Sequence, residues 1–438
     1  MSLAPVDPAR AVRRAARLRG ELRLPSDKSV AHRALIANAL AGGPAEIRLR
    51  TPGRDVLSTA RCLRALGVGV DEQDGVRGVA RWTVVGVPDR TDGTLDCGNS
   101  GTTMRLLAGA LAGLPLRATL DGDASLRARP MDRVAAPLRA MGASLTTRHG
   151  RAPLLIEGAA RLRALEHRLP VASAQLIGAV ALAALAAEGR TLIHAPGSTR
   201  DHTERLLAWM GAPILRHGDV TAIDGPARLR PRSLTVPGDP SAAVPWLVAA
   251  AVHPDAELLL TGVGLNPSRL AAVGVLREMG ARIELSQGPA AGPEPSGDIA
   301  VASGSRLRPI SLGGAQVAAL VDELPVLAVA MAAADGVSEL RDAGELRVKE
   351  SDRIAATVAG LAAIGARVEE LPDGWRVSPG AATDAEIATG GDHRIAIAFA
   401  IAGLSGVAGE VRLDDPACVS VSYPTFWQHL AAVSGEAA

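Results

Sequence analysis

The chain has 438 residues, with 46 acidic side chains against 47 Lys plus Arg, for a net charge of +1. That balance offers no basic face to a nucleic acid, and an aromatic content of 2% leaves no stacking platform for bases. The apolar fraction of 47% suffices for sizeable cores, the length fits two to four ordinary domains, and no stretch makes a confident membrane span.

Two residue types stand out by their scarcity. Lys28 and Lys349 are the only lysines, all other basic positions being Arg. Arg is a permanently charged fork, whereas Lys is a compact charge that can also release a proton. Two lysines in such a chain are candidates for chemistry. Cys62, Cys97 and Cys418 are odd in number, scattered and without metal-ligand spacing, which predicts no metal site and no disulfide framework, and hence a reducing compartment. The Arg-rich stretch Ala11–Arg17 lacks acids like a transit peptide. It also lacks Ser enrichment and an apolar core, so it reads as a leader into a first strand.

In chain order, the first predicted helix opens at Ser26-Asp27-Lys28-Ser29 and runs apolar over Ala31–Leu40. Arg33 lies one turn on from Ser29, on the same face. An extended run, Glu46–Leu49, follows, then an outer helix ending at Leu66-Gly67. The second unit opens Cys97-Gly98-Asn99-Ser100-Gly101-Thr102-Thr103-Met104-Arg105. Its glycines and hydroxyls before a helix suit a backbone cradle for phosphate or carboxylate, although the same residues also make ordinary turns. The following loop carries Arg127, Arg129 and Arg133. The third unit opens Ser173-Ala174-Gln175 and adds Ser198, Arg200, Asp201 and His202 in a loop. The fourth, Gly238-Asp239-Pro240-Ser241, reads mainly as capping. The fifth places Asp322 and Glu323 before Leu324–Met331, then Lys349-Glu350-Ser351-Asp352-Arg353, where Lys349 and Arg353 are i,i+4 neighbours if helical. The sixth opens Asp392-His393-Arg394.

These openings belong to a repeat. An apolar run closed by Gly recurs at Gly67, Gly142, Gly211, Gly280, Gly365 and Gly435, as at the end of a helix. Each unit reads as buried helix, strand, outer helix, strand, strand. Helices apolar on most sides must be buried, so the economical arrangement is two groups of three units, each around its own helical core. Helix N-termini bearing polar groups are natural anion seats.

Pro-Ser-Asp-Lys-Ser, Gly-Asn-Ser-Gly-Thr, Arg-Ala-Arg-Pro-Met, Arg-Asp-His-Thr-Glu, Arg-Val-Lys-Glu-Ser-Asp-Arg and Gly-Asp-His-Arg, in this order, resemble the 5-enolpyruvylshikimate-3-phosphate synthases (3-phosphoshikimate 1-carboxyvinyltransferases). The resemblance spans roughly residues 20 to 430. It implies an α/β (α+β type) fold of two inside-out α/β-barrel-like domains, each of three repeated βαβαββ units around buried helices. Residues 1–26 plus 237–438 would form one domain and residues 27–236 the other. It implies transfer of the enolpyruvyl group of phosphoenolpyruvate to the 5-hydroxyl of shikimate 3-phosphate, in the cytoplasm, by a monomer without metal or organic cofactor, nucleic acid or membrane.

By that resemblance, Lys28, Ser29, Arg33, Ser173, Gln175, Ser198, Asp322 and Lys349 hold shikimate 3-phosphate. Lys28, Gly101, Arg129, Gln175, Arg353 and Arg394 hold phosphoenolpyruvate, with room beside it at Gly101. Asp322 is the candidate base for the hydroxyl, Glu350 the acid/base at the methylene, and Lys28 and Lys349 stabilise developing charge. Ala174, Glu345 and Val421 stand where some relatives have substrate-contacting Ser, Asn and Lys. The rival with the same fold and donor, a UDP-N-acetylglucosamine enolpyruvyl transferase, would carry Asn after the first lysine and a loop Cys. Here Ser29 follows Lys28, and Ser125–Arg133 contains no Cys. An RNA-end-processing protein on related repeats is the alternative from another class.

Overall fold

Runs of small apolar residues too long for a strand and apolar on every face form helices that only a core can hold. The computed structural model describes residues 11–75, 78–89, 93–159, 161–197, 199–289, 292–304 and 306–435, and it contains such helices at each repeat. They are α1 (Lys28–Ala41), α3 (Gly101–Ala112), α4 (Ala174–Ala184), α6 (Pro240–Val252), α7 (Leu324–Ala333) and α9 (His393–Ser405). Among the amphipathic helices between them are α2 (Arg54–Ala65), α5 (His202–Trp209) and α8 (Arg353–Ala363), with Asp132–Met141 and Ala271–Glu278 in the corresponding places of their repeats. In α7 every residue from Leu324 to Ala332 is buried.

The repeat is visible in the sheets. Gly42–Arg50 pairs parallel with Leu234–Thr235 and antiparallel with Val79–Gly86, which pairs antiparallel with Gly69–Gln73. The same order holds for Arg117–Asp121, for Ala256–Gly264 and for Ser338–Leu340 with their neighbours. The six signature glycines, Gly67, Gly142, Gly211, Gly280, Gly365 and Gly435, all have φ between 73° and 110°. That left-handed turn after a helix is open to Gly at little cost. The sixth copy departs from the pattern. After α9 comes Val411–Leu413, which pairs antiparallel with Ala11–Val12 and parallel with Ala385–Ile387. The chain start therefore supplies a strand that the sixth unit lacks.

The chain divides into two compact units. One comprises Met1–Pro25, Pro237–Pro289 and Pro295–Ala438. The other comprises Ser26–Val236 and the short segment ending at Glu294, where the buried Glu294 carboxylate lies 2.8 Å from Nδ1 of His202. Each unit has its own hydrophobic core. In the Ser26–Val236 unit the axes of α3 and α4 approach so closely that a Cβ at Gly109 would stand 2.1 Å from the carbonyl oxygen of Ala179. Glycine is required there by backbone contact. No helix of the described residues is long and apolar enough to cross a membrane.

Candidate active site

In the Ser26–Val236 unit, α1 starts at Lys28 because Asp27 caps it, accepting from the Val30 N–H at 3.0 Å. The cap sets Lys28 on the first turn, with Nζ 3.0 Å from Oδ2 of Asp55. Asp55 sits in the first turn of α2, where the helix dipole also favours a carboxylate. Arg33 is buried. Its guanidinium donates to Thr203 Oγ1 at 2.7 Å, to the Ser29 carbonyl at 2.9 Å and to the Ala174 carbonyl at 3.2 Å. It ties the openings of α1, α4 and α5 together. Burial draws its pKa down to about 10, opposed by the Glu204 carboxylate, so it stays charged at neutral pH.

Ser100 caps α3 by accepting the Thr103 N–H at 3.1 Å. The N–H groups of Gly101 and Thr102, in the first turn, have no acceptor within the helix. Around them stand two guanidinium groups. Arg129 Nη2 is held by Asn99 Oδ1 at 2.8 Å, and Arg105 Nη1 by Gln175 Oε1 at 2.8 Å. Gln175 in turn donates to Thr102 Oγ1 at 2.9 Å. A Cβ on Gly101 would lie 2.5 Å from Arg105 Nη1 and 3.3 Å from Arg129 Nη1. The space that the sequence suggests beside Gly101 is therefore occupied by guanidinium groups. Ser173 caps α4 through the Leu176 N–H. Lys28, Ser29, Arg33, Gly101, Arg129, Ser173 and Gln175 thus gather at the openings of α1, α3 and α4. Ser198 lies outside the described residues.

In the other unit the centre is Arg353, whose side chain is 2% exposed. Its Nε donates to Asp392 Oδ2 at 2.8 Å and its Nη2 to Glu350 Oε2 at 2.7 Å. Nη1 lies 3.7 Å from Asp322 Oδ1 and has no hydrogen-bond acceptor among the described residues. Burial alone would lower the Arg353 pKa, but Asp392 and Glu350 reverse the sign and raise it. Asp392 feels the converse: burial pushes its carboxyl up, Arg353 pulls it down, and the net shift is downward. Asp392 also caps α9 through the Arg394 N–H at 2.9 Å, which sets the half-buried Arg394 on the first turn of that helix.

Lys349 and Arg353 are not i,i+4 neighbours on one helix. Lys349 is extended, after the short turn Gly344–Val348, and α8 begins only at Arg353, capped by Asp352. Lys349 Nζ instead lies 3.9 Å from Glu345 Oε1. The fourth opening does more than cap. Asp239 accepts from Ser241 N–H at 2.8 Å and pairs with the buried Arg269 at 2.9 Å. Ser241 also donates to Glu323, the residue after Asp322.

Sequence reasoning did not single out Asp55, Arg105, Asp392 or Arg269 for the site. Asp392 and Arg105 stood inside quoted motifs, and a buried cation elsewhere calling for a carboxylate is the signal that would have drawn attention to Asp392. Asp55 and Arg269 carry no comparable local mark.

The sequence profile of EPSP synthase (3-phosphoshikimate 1-carboxyvinyltransferase) matches residues 12–430. The chain belongs to the EPSP synthase family. It is 50% identical over 425 residues to a 3-phosphoshikimate 1-carboxyvinyltransferase of Roseiflexus sp. (strain RS-1), covering 95% of this chain and 97% of that one. It is 48% identical to the protein of the same name from Gloeobacter violaceus, over 96% of this chain and 97% of the relative. A solved EPSP synthase structure from Acinetobacter baumannii superposes with a TM-score of 0.84 at 35% identity, covering 97% of each chain. The two-domain inside-out α/β fold expected from the resemblance is that of these EPSP synthases.

Proposed function

We infer that this chain transfers the enolpyruvyl group of phosphoenolpyruvate to the 5-hydroxyl of shikimate 3-phosphate, releasing phosphate, in the shikimate pathway to chorismate and the aromatic amino acids. The hydroxyl oxygen adds to C2 of phosphoenolpyruvate while the methylene carbon takes up a proton. The tetrahedral intermediate then loses phosphate and one methyl proton, leaving the enol ether.

The observation that carries this reading is the environment of Arg353. A buried guanidinium whose Nη1 has no hydrogen-bond acceptor among the described residues is suited to an anion, and the carboxylates of Glu350 and Asp322 lie within 2.7 and 3.7 Å of it. Binding of a carboxylate or phosphate and proton transfer are thereby assigned to one place. Asp322 accepts the hydroxyl proton, and Glu350 delivers and later removes the methylene proton. The residues assigned to phosphoenolpyruvate are Arg353 and Arg394, with Lys28, Gly101, Arg129 and Gln175. Ser29, Arg33, Ser173 and Ser198, with Lys28, Gln175, Asp322 and Lys349, hold shikimate 3-phosphate. Lys28 and Lys349 meet the charge that develops on the leaving phosphate and on the intermediate, as compact cations that can also exchange a proton. Three buried free thiols suit a reducing compartment, and we place the reaction in the cytoplasm with the monomer as the working species.

The test is phosphate release from phosphoenolpyruvate by the purified protein with either of two acceptors. Release is expected only on addition of shikimate 3-phosphate. Stimulation by UDP-N-acetylglucosamine instead would overturn the assignment.

A further inference from the structure

Behind Lys28 and the opening of α3 runs a line of buried polar side chains that the mechanism does not use. Lys28 and His32 are one turn apart on α1, and Asp55 and Thr59 one turn apart on α2, so the two helices are joined by two rungs. The outer rung is Lys28 to Asp55 at 3.0 Å, and the inner is His32 Nδ1 to Thr59 Oγ1 at 2.7 Å. Thr59 Oγ1 continues to Thr103 Oγ1 at 2.7 Å, and Thr103 Oγ1 to Ser100 Oγ at 2.7 Å. Thr103 Oγ1 also lies 3.4 Å from the carbonyl oxygen of Asp55. His32, Thr59 and Thr103 are 0% exposed and Ser100 is 1% exposed. Four polar side chains in an apolar core are costly unless they satisfy one another.

The direction of the line follows from proton counting. The Asp55 carbonyl can only accept, and Ser100 Oγ already accepts the Thr103 N–H. The order we assign has the Thr103 hydroxyl give its proton to that side. Thr103 then accepts from Thr59, and Thr59, its one proton spent, accepts from His32. That order places the imidazole proton on Nδ1 and leaves Nε2, which has no partner among the described residues, as a bare lone pair. The ring stays neutral at physiological pH, because burial outweighs the nearby Asp55 carboxylate, and Lys28 and Arg33 add repulsion.

We propose that His32, as its neutral Nδ1-protonated ring, is a positioning residue for the phosphoenolpyruvate seat, acting through Thr59 and Thr103 on the α3 cap Ser100 and on Asp55, and through Asp55 on Lys28. The proposal rests on the assignment of Lys28 and the α3 opening to phosphoenolpyruvate. It links three helix openings by donors alone and adds no charge where the substrates bring negative charge.

Thr59→Val keeps shape and removes the link. The variant loses both hydrogen bonds of the Thr59 hydroxyl and is expected to raise KM for phosphoenolpyruvate about fivefold to tenfold, within the range of one net hydrogen bond because the substrate feels the line indirectly. Its kcat and its KM for shikimate 3-phosphate, which draw on Lys28 but not on the α3 opening, should change by less than that, and Thr59→Ser should return KM toward the parent value. Imidazole nitrogen spectra, with the His32 signals assigned by their loss in His32→Asn, should show an Nδ1-protonated ring that does not titrate between about pH 5 and 8. In Thr59→Val that tautomer should lose its dominance. A ring protonated on Nε2 in the parent would overturn the donor order. A Thr59→Val protein with parental KM and a lowered thermal midpoint would reduce the line to a purely structural one. The spectra read the line without turnover, so a parent inactive with shikimate 3-phosphate would count against the functional reading, whereas the tautomer would still decide the donor order.

Discussion

The two clusters of candidate site residues are built on opposite electrostatic plans. At the openings of α1, α3 and α4, Lys28, Arg33, Arg105 and Arg129 gather with Asp55 as the carboxylate partner of Lys28, and uncharged hydroxyls and amides do most of the positioning. Around Arg353, three carboxylates, from Asp322, Glu350 and Asp392, converge on one buried guanidinium. The first plan leaves positive potential for anions to neutralise. The second keeps carboxylates beside a buried guanidinium, with Asp392 holding it in place while Glu350 and Asp322, about a quarter exposed, remain open to solvent. One plan suits seating two anionic substrates and the other suits moving protons on them.

The sharpest test of this contrast is Glu350→Gln. The substitution keeps the size and a hydrogen-bond acceptor toward Arg353 but removes the proposed proton carrier. It should lower kcat by about 10²- to 10⁴-fold, the usual contribution of a positioned acid/base, with KM for phosphoenolpyruvate little changed. A loss confined to KM would move Glu350 from chemistry to binding and erase the division between the clusters.

The next effect is on stability. Asp392→Ala removes the fully buried partner of a buried arginine and the cap of α9 together. Breaking a buried pair from one side costs about 3–5 kcal/mol. Asp55→Ala removes the partner of Lys28, whose side chain is 26% exposed, and should cost only about 1 kcal/mol after solvent screening. Urea unfolding of both variants compares the clusters directly. Equal costs would mean that the Lys28 pair is as dry and structural as the Arg353 pair.

A smaller effect is expected at Gly101. A Cβ there must displace the ends of the Arg105 and Arg129 side chains, which can swing aside. Gly101→Ala should therefore fold normally, with KM for phosphoenolpyruvate raised about tenfold, equivalent to about 1.4 kcal/mol. Parental KM would show that the two guanidinium groups stand where no substrate needs them.

The sequence told more about the helix openings than about what holds them. The repeat was legible because its glycine must adopt a left-handed turn six times, and the buried helices because they are apolar all round. Helix starts were harder. The polar first turns of α1, α3 and α9 lie just before their apolar runs, so the apolar pattern places each start two or three residues late. Lys28 and Lys349 stood out by rarity, yet rarity says nothing of partners. Asp55 lies 27 residues from Lys28, and Asp392 lies 39 from Arg353, separations at which no periodicity operates. The Thr59 hydroxyl reads as an ordinary helix residue, and that of Thr103 as part of the α3 opening. Only the fold reveals that they face each other in a core with His32.

His32 offers the mildest and most specific test of the contrast, because it asks whether the polar line behind Lys28 is uncharged. Its pKa falls from 6.5 to about 3 in the folded protein. Between those values the unfolded chain binds a proton that the folded chain refuses, so stability rises with pH across this window and is lost as pH falls from 6.5 toward 3. The slope due to one such group approaches about 1.4 kcal/mol per pH unit in mid-window and vanishes above the unfolded value. Other groups act in the same range: Asp392, Asp121 and Glu339 have lowered pKa values, and Glu204 a raised one. The measurement is therefore a difference between the parent and His32→Asn in urea unfolding from about pH 4.5 to 7. The variant should be less stable at pH 7, and the gap should narrow as pH falls, because Asn has no proton to refuse. A gap that is constant with pH would mean that His32 is charged in the folded protein, and the line behind Lys28 would then carry a cation after all.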